Sequence, residues 1–178
     1  MAVRVRGRWR RGPLLLGVLV VAVVSGLLVF ALGARPSADP GGQVLASPAH
    51  VGTTYAFDGV VCLGSQVTGS TVAGVEVEQS AGSTTDLVRP PTGPITLGFP
   101  VDPQDGEPVD GFEIAAGEQD CTLRLLVTPD RKGRIDAGVL KIRLRYGPGG
   151  LLRRTASVRP DVVLDVAETG PDPRAARR

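Results

Sequence analysis

Leu140, Ile142, Leu144 and Tyr146 alternate with Lys141, Arg143 and Arg145. Side chains two apart share a face only in an extended strand, so this segment is a strand with one apolar and one cationic side. A helix would mix the two sets. Other runs repeat the period. Val75 and Val77 alternate with Glu76 and Glu78, Tyr55 with Phe57 and Val61, Ile95 with Leu97 and Phe99, and Phe112 with Ile114. Cys121, Leu123, Leu125 and Val127 share a face opposite Thr122, Arg124 and Leu126, and Val158 with residues 162–166 supplies a last strand. No region after residue 32 joins a helix cap to a sustained 3.6-residue period. The chain has 24 Gly and 15 Pro in 178 residues, placed between the runs as turns, notably at residues 147–150 and 100–108. Seven or eight short strands with frequent turns predict an all-β antiparallel sandwich over residues 50–167. A stretch of that length buries a core in one domain.

The first 33 residues obey a different rule. Arg4, Arg6, Arg8, Arg10 and Arg11 precede an uncharged run at residues 14–32. As a helix that run spans about 28 Å, against about 30 Å for a bilayer core. Pro13 suits a first helical position, and Trp9 an interfacial anchor. Residues 1–13 therefore read as a cytoplasmic basic segment and 14–33 as a transmembrane signal-anchor helix, with the rest outside. The alternative is secretion after cleavage at the small residues 31–34. Residues 34–49 hold three Pro and two adjacent Gly, and read as a flexible linker. Residues 168–178 have two Pro and no large apolar side chain, and read as a disordered tail.

Cys62 and Cys121 are the chain's two cysteines, 59 positions apart. An even count on the exported side predicts one disulfide. Two strand cysteines at this spacing look like the inter-sheet bridge of immunoglobulin-like domains. Two features depart from that pattern: no Trp occurs within 50–167, and Gln119 stands where a tyrosine corner would place Tyr. The layout, with Arg outnumbering Lys 18 to 2, also resembles single-pass envelope proteins of high-GC bacteria. The resemblance implies a membrane-anchored, immunoglobulin-like sandwich in the cell envelope.

Residue chemistry narrows the functions. One His, two Cys and one Met rule out most multi-ligand metal centres, and no cofactor or metal is expected. Cys121 with His50 is superficially similar to a sortase, but Glu118-Gln119-Asp120 replaces the Thr-Leu-x-Thr lead, and a disulfide would remove the nucleophile. Glu76 and Glu78 share a face, the usual arrangement of exposed acids on a wet sheet. Asp102, Asp105, Glu107 and Asp110 lack the spacing of an EF-hand loop. No catalytic residue is assigned, and the expected class is not an enzyme, with an envelope hydrolase or transferase as a remote alternative.

Charge supplies the one candidate site. Residues 34–120 carry 12 acids against two basic residues, whereas 121–160 carry ten basic residues against two acids. Lys141, Arg143 and Arg145 line one strand face, and Arg153, Arg154 and Arg159 follow across the Gly-Pro turn. The two readings are pairing with acids on a neighbouring strand and a cationic patch for anionic envelope polymers or lipid headgroups. Nucleic acid is not an expected partner outside the cell. The sequence thus favours a membrane-anchored extracytoplasmic binding or assembly module, with another envelope protein or an anionic envelope polymer as partner. The alternative is an accessory structural subunit contacting a membrane complex through its helix, where Ala22 and Gly26 form a small-residue pair.

Overall fold

The computed structural model describes residues 12–33, 35–42, 44–78, 82–91 and 95–167. The chain divides into two compact units, Met1–Ala34 and Arg35–Arg178. The first contains α1 (Gly12–Gly33), a helix without a charged residue. Among the described residues no helix is long and apolar enough to cross a membrane. The transmembrane reading of 14–33 therefore rests on the sequence. The basic segment up to residue 11 and the tail 168–178 lie outside the described residues.

The second unit is all-β. Its strands are β1 (Ser37–Pro40), β2 (Val44–His50), β3 (Thr54–Asp58), β4 (Val61–Gly64), β5 (Ser70–Glu78), β6 (Ser83–Arg89), β7 (Leu97–Val101), β8 (Glu107–Pro108), β9 (Glu113–Ile114), β10 (Gln119–Asp120), β11 (Arg124–Pro129), β12 (Gly133–Asp136), β13 (Val139–Tyr146), β14 (Leu152–Val158) and β15 (Val162–Ala167). They form sheets ordered β1-β4-β10, β7-β3-β11-β6-β8, β12-β15-β2 and β14-β13-β5-β9. The strand pairs are antiparallel except β2 with β15. All four sheets turn one face into a common core that includes Phe57, Leu63, Leu125, Ile142 and Leu164. Burying each such side chain stabilises the fold by roughly 1.5–3 kcal/mol.

β13 obeys its alternation. Leu140, Ile142 and Leu144 are fully buried and Tyr146 nearly so, while Arg143 and Arg145 are exposed. Gly147 has φ +76°, and Pro148–Gly150 form a 3-10 turn into β14.

Three expectations are corrected. The residues assigned to a linker, 34–49, carry two strands: β1 pairs with β4, and β2 lies parallel to β15. Composition misled there because ladder hydrogen bonds need no apolar side chain; Gly41 N–H, for instance, donates to Val60 O at 2.8 Å. The count of seven or eight strands is too low, because alternation does not mark β1, β2, β6 or β12, the run from Tyr55 to Val61 divides into β3 and β4, and the loops carry the two-residue strands β8 and β10. The alternation of Ile95, Leu97 and Phe99 does not face the core. These residues are 81%, 52% and 65% exposed. β7 is an edge strand whose register slips opposite Ala56 and Phe57, with Gly98 at φ +71°, so the period-two facing is broken there.

The Cys62–Cys121 disulfide is present, with a Cα–Cα distance of 4.1 Å. Its placement differs from the immunoglobulin pattern. β10 pairs with β4 through Asp120↔Leu63, so Cys121 and Cys62 form the next rung of the same sheet. The bridge staples neighbouring strands rather than two facing sheets.

Candidate functional site

The outer face of the sheet β14-β13-β5-β9 follows from register. Lys141, Arg143 and Arg145 stand opposite Ser157, Thr155 and Arg153 on β14. On the other flank they stand opposite Glu76, Gly74 and Thr71 on β5. A bulge between Arg143 and Leu144 leaves Ala73 without a partner. Gly74 has φ +146°, and a Cβ there would come within 3.0 Å of Arg143 Nη2. The absent side chain thus makes room for the Arg143 guanidinium over the β5 backbone.

The acids of β5 compensate only one end of this face. Lys141 Nζ lies 3.4 Å from Glu78 Oε2. Among the described residues, no carboxylate lies within ion-pair distance of Arg143, Arg145 or Arg153. Arg145 and Arg153 are direct cross-strand neighbours, an arrangement that destabilises a sheet unless something between them carries opposite charge. Arg143, Arg145, Arg153, Thr155 and Ala73 border a concavity of about 250 Å³.

The six cations singled out from the sequence therefore divide. Arg143, Arg145 and Arg153 come together, with Lys141 beside them. Arg154 also borders the concavity, but its register partner is the buried Leu144, and its Nη1 donates to Pro36 O at 2.7 Å. Arg159 lies apart and donates to Asp136 Oδ2 at 2.8 Å. Pairing and patch readings thus each describe part of the set.

Sequence reasoning missed Arg124. Its place opposite Leu125 implied a wet face, yet it is 4% exposed. Register puts Asp58 on β3 and Val88 on β6 beside it. Nε donates to Asp58 Oδ1 at 2.7 Å and Nη2 to Asp58 Oδ2 at 3.0 Å. Nη1 donates to Asp105 Oδ2 at 2.6 Å, and Nη2 also reaches Thr96 Oγ1 at 3.2 Å. Thr96 N–H donates to the same Asp58 carboxylate at 2.7 Å. The segments around Thr96 and Asp105 are thereby strapped over the outer face of the five-stranded sheet. A small apolar cluster of Ala56, Val88 and Leu126 lies beneath, with Val101 against it. The hydrogen bond to Asp58 raises the Arg124 pKa above its usual value, against the opposing effect of burial. A raised basic pKa leaves the group charged throughout the range below it. The signal was available: Leu123, Leu125 and Leu126 leave no clean polar face on β11, and an Asp-rich loop lies within reach in sequence.

The remaining candidates are structural. Asp102 Oδ1 accepts from Gln104 N–H at 2.9 Å, and Glu107 pairs with Arg89 at 3.1 Å. Among the described residues no group of three or more His, Cys, Asp or Glu could hold a metal ion. Cys121 is engaged in the disulfide, so it is not a free nucleophile. His50 donates its backbone N–H to Tyr55 Oη at 2.8 Å.

No family model, curated protein or solved structure matches this chain.

Proposed function

We propose that this protein is an extracytoplasmic binding module, tethered to the membrane by its N-terminal helix and not catalytic, whose basic β13–β14 face takes an anionic partner of the cell envelope. What carries the reading is the group Arg143, Arg145 and Arg153, exposed and, among the described residues, without a carboxylate partner in a domain rich in acids. Uncompensated cations on one face attract anionic polymers and headgroups over about a Debye length. Orientation follows from the five arginines before residue 14 and no acid among them. The uncharged run at 14–32 supports the tether.

The test is the double variant Arg143→Glu with Arg145→Glu in the full chain. Retention on anionic vesicles or on immobilised polyphosphate should be abolished while the melting temperature stays nearly unchanged. Retention that survives the reversal refutes the reading. Orientation is checked by protease added to intact cells after wall removal. Digestion of the domain is expected, and its protection would sink the topology.

One observation favours a second reading, assembly with another envelope protein through the edge of β7. Ile95, Leu97 and Phe99 are exposed there, and an edge strand carries unpaired backbone groups. Phe99→Ser should then reduce co-purification of that protein without altering anion retention.

A further inference from the structure

The geometry points to a defined clasp for a single phosphoryl group, formed by Arg143, Arg145 and Arg153 around the β5 bulge. This goes further than a cationic face, and it rests on the binding reading above.

Four observations converge. First, the three arginines root close together. Arg145 and Arg153 are cross-strand partners, about 5 Å apart at Cβ. Arg143 is two residues along the same face, about 7 Å away. Stems this close let three guanidinium groups converge on one ligand. Second, the bulge at Ala73 and the bare Gly74 backbone create the floor, with Arg143 lying over Gly74. A side chain at position 74 would displace that guanidinium.

Third, the concavity of about 250 Å³ is below the range of roughly 300–1,000 Å³ that holds a drug-sized molecule. It suits one small group rather than a whole cofactor. Fourth, its side-chain chemistry is nearly all donor. Guanidinium groups have no acceptor, and Thr155 contributes one hydroxyl. Among the described residues no aromatic ring borders it, so a sugar or base has nothing there to stack on. The complementary ligand is an acceptor-only anion with more than two oxygens. A carboxylate has two, whereas a phosphoryl group presents three or more to bidentate forks. The neighbouring cations are engaged elsewhere: Lys141 with Glu78, Arg154 with Pro36 O and Arg159 with Asp136.

The phosphoryl group can belong to a soluble anionic chain or to a lipid headgroup, and the experiment separates them. The full chain is titrated with inorganic pyrophosphate, short-chain polyphosphate and sodium sulfate, and floated with phosphatidic acid vesicles against phosphatidylcholine vesicles. Three variants are compared with wild type. Arg145→Lys keeps the charge and removes the fork, Gly74→Ala disturbs the floor, and Arg159→Lys is a control away from the clasp. The expected result is pyrophosphate binding weakened about tenfold or more by Arg145→Lys, and within about twofold of wild type for Arg159→Lys. Gly74→Ala should weaken it too. If that variant unfolds, Arg145→Lys alone decides.

Equal small effects of both lysine variants would overturn the clasp while leaving a diffuse cationic face, and so the binding reading, standing. Sulfate bound as tightly as pyrophosphate and insensitive to Arg145→Lys would mean attraction to a diffuse cationic face, and would also overturn it. Binding to neither phosphates nor anionic vesicles would remove the binding reading itself. Polyphosphate binding sensitive to Arg145→Lys assigns the clasp to a soluble chain. Binding confined to phosphatidic acid vesicles, with the same sensitivity, assigns it to a headgroup.

Discussion

Arg124 and Arg145 lie on strands of one domain, each opposite a run of buried leucines, and have opposite surroundings. Arg124 is buried and held by Asp58, Asp105 and Thr96. Arg145 is exposed, faces Arg153 and has no carboxylate partner among the described residues. The difference does not lie in the strands' own sequences. It lies in what neighbouring chain delivers. Asp58 comes from 66 residues before Arg124 and Asp105 from 19 before it, whereas the β5 residues facing Arg143 and Arg145 are Gly74 and Thr71. A cation surrounded by delivered acids holds the fold together. A cation left without them is available to something else.

The largest test of this contrast is Arg124→Ala. It leaves the Asp58 carboxylate, whose side chain is 10% exposed, without its counterion, and should cost about 3–5 kcal/mol in urea unfolding. A loss no larger than that of an ordinary surface substitution would erase the distinction between the two sites. Next is Cys62→Ser, expected to lower unfolding free energy by about 2–4 kcal/mol. Because the bridge lies three residues before Arg124 and away from β13, anion retention by the folded variant should be unchanged. Altered retention would mean that the two regions are coupled.

Asp105→Asn removes one charged arm while Asp58 keeps both hydrogen bonds from Arg124. Its cost should be about 1.5 kcal/mol, and a cost equal to that of Arg124→Ala would show that the strap, not the Asp58 pair, dominates. The smallest effect belongs to Glu78→Gln, which breaks the exposed pair with Lys141. Under about 1 kcal/mol is expected, disappearing near 1 M salt, where the Debye length is about 3 Å. A salt-independent loss would place Glu78 in the first class of site instead.

What the sequence made legible follows from periodicity. β13 has one apolar and one charged face, and both faces are where alternation puts them. The disulfide partners were legible by elimination. The pairing geometry of that bridge was not, since spacing carries no information about which strands are neighbours. β1 and β2 were illegible because the Pro and Gly of residues 34–49 carry a linker's composition, while the backbone ladders to β4 and β15 leave no mark in it. β7 was misread because a register slip at Gly98 reverses facing without altering composition. Arg124 was misread because alternation assumes one wet face per strand, and β11 has none. The cationic group was visible, but its division into engaged and unengaged members depended on register and on the bulge at Gly74.

The parallel pairing of β2 with β15 has a kinetic consequence. It joins Val44 to Val162 and His50 to Ala167, so a strand from the start of the domain is completed by its last one. Nearly the whole domain must leave the ribosome before that ladder can close. At 5–20 residues per second the wait is on the order of ten seconds. Such distant partners raise contact order, which slows folding. Until β15 arrives, β2 is an unsatisfied edge, so the domain is most exposed to mispairing early in its life, and its final strand acts as the latch.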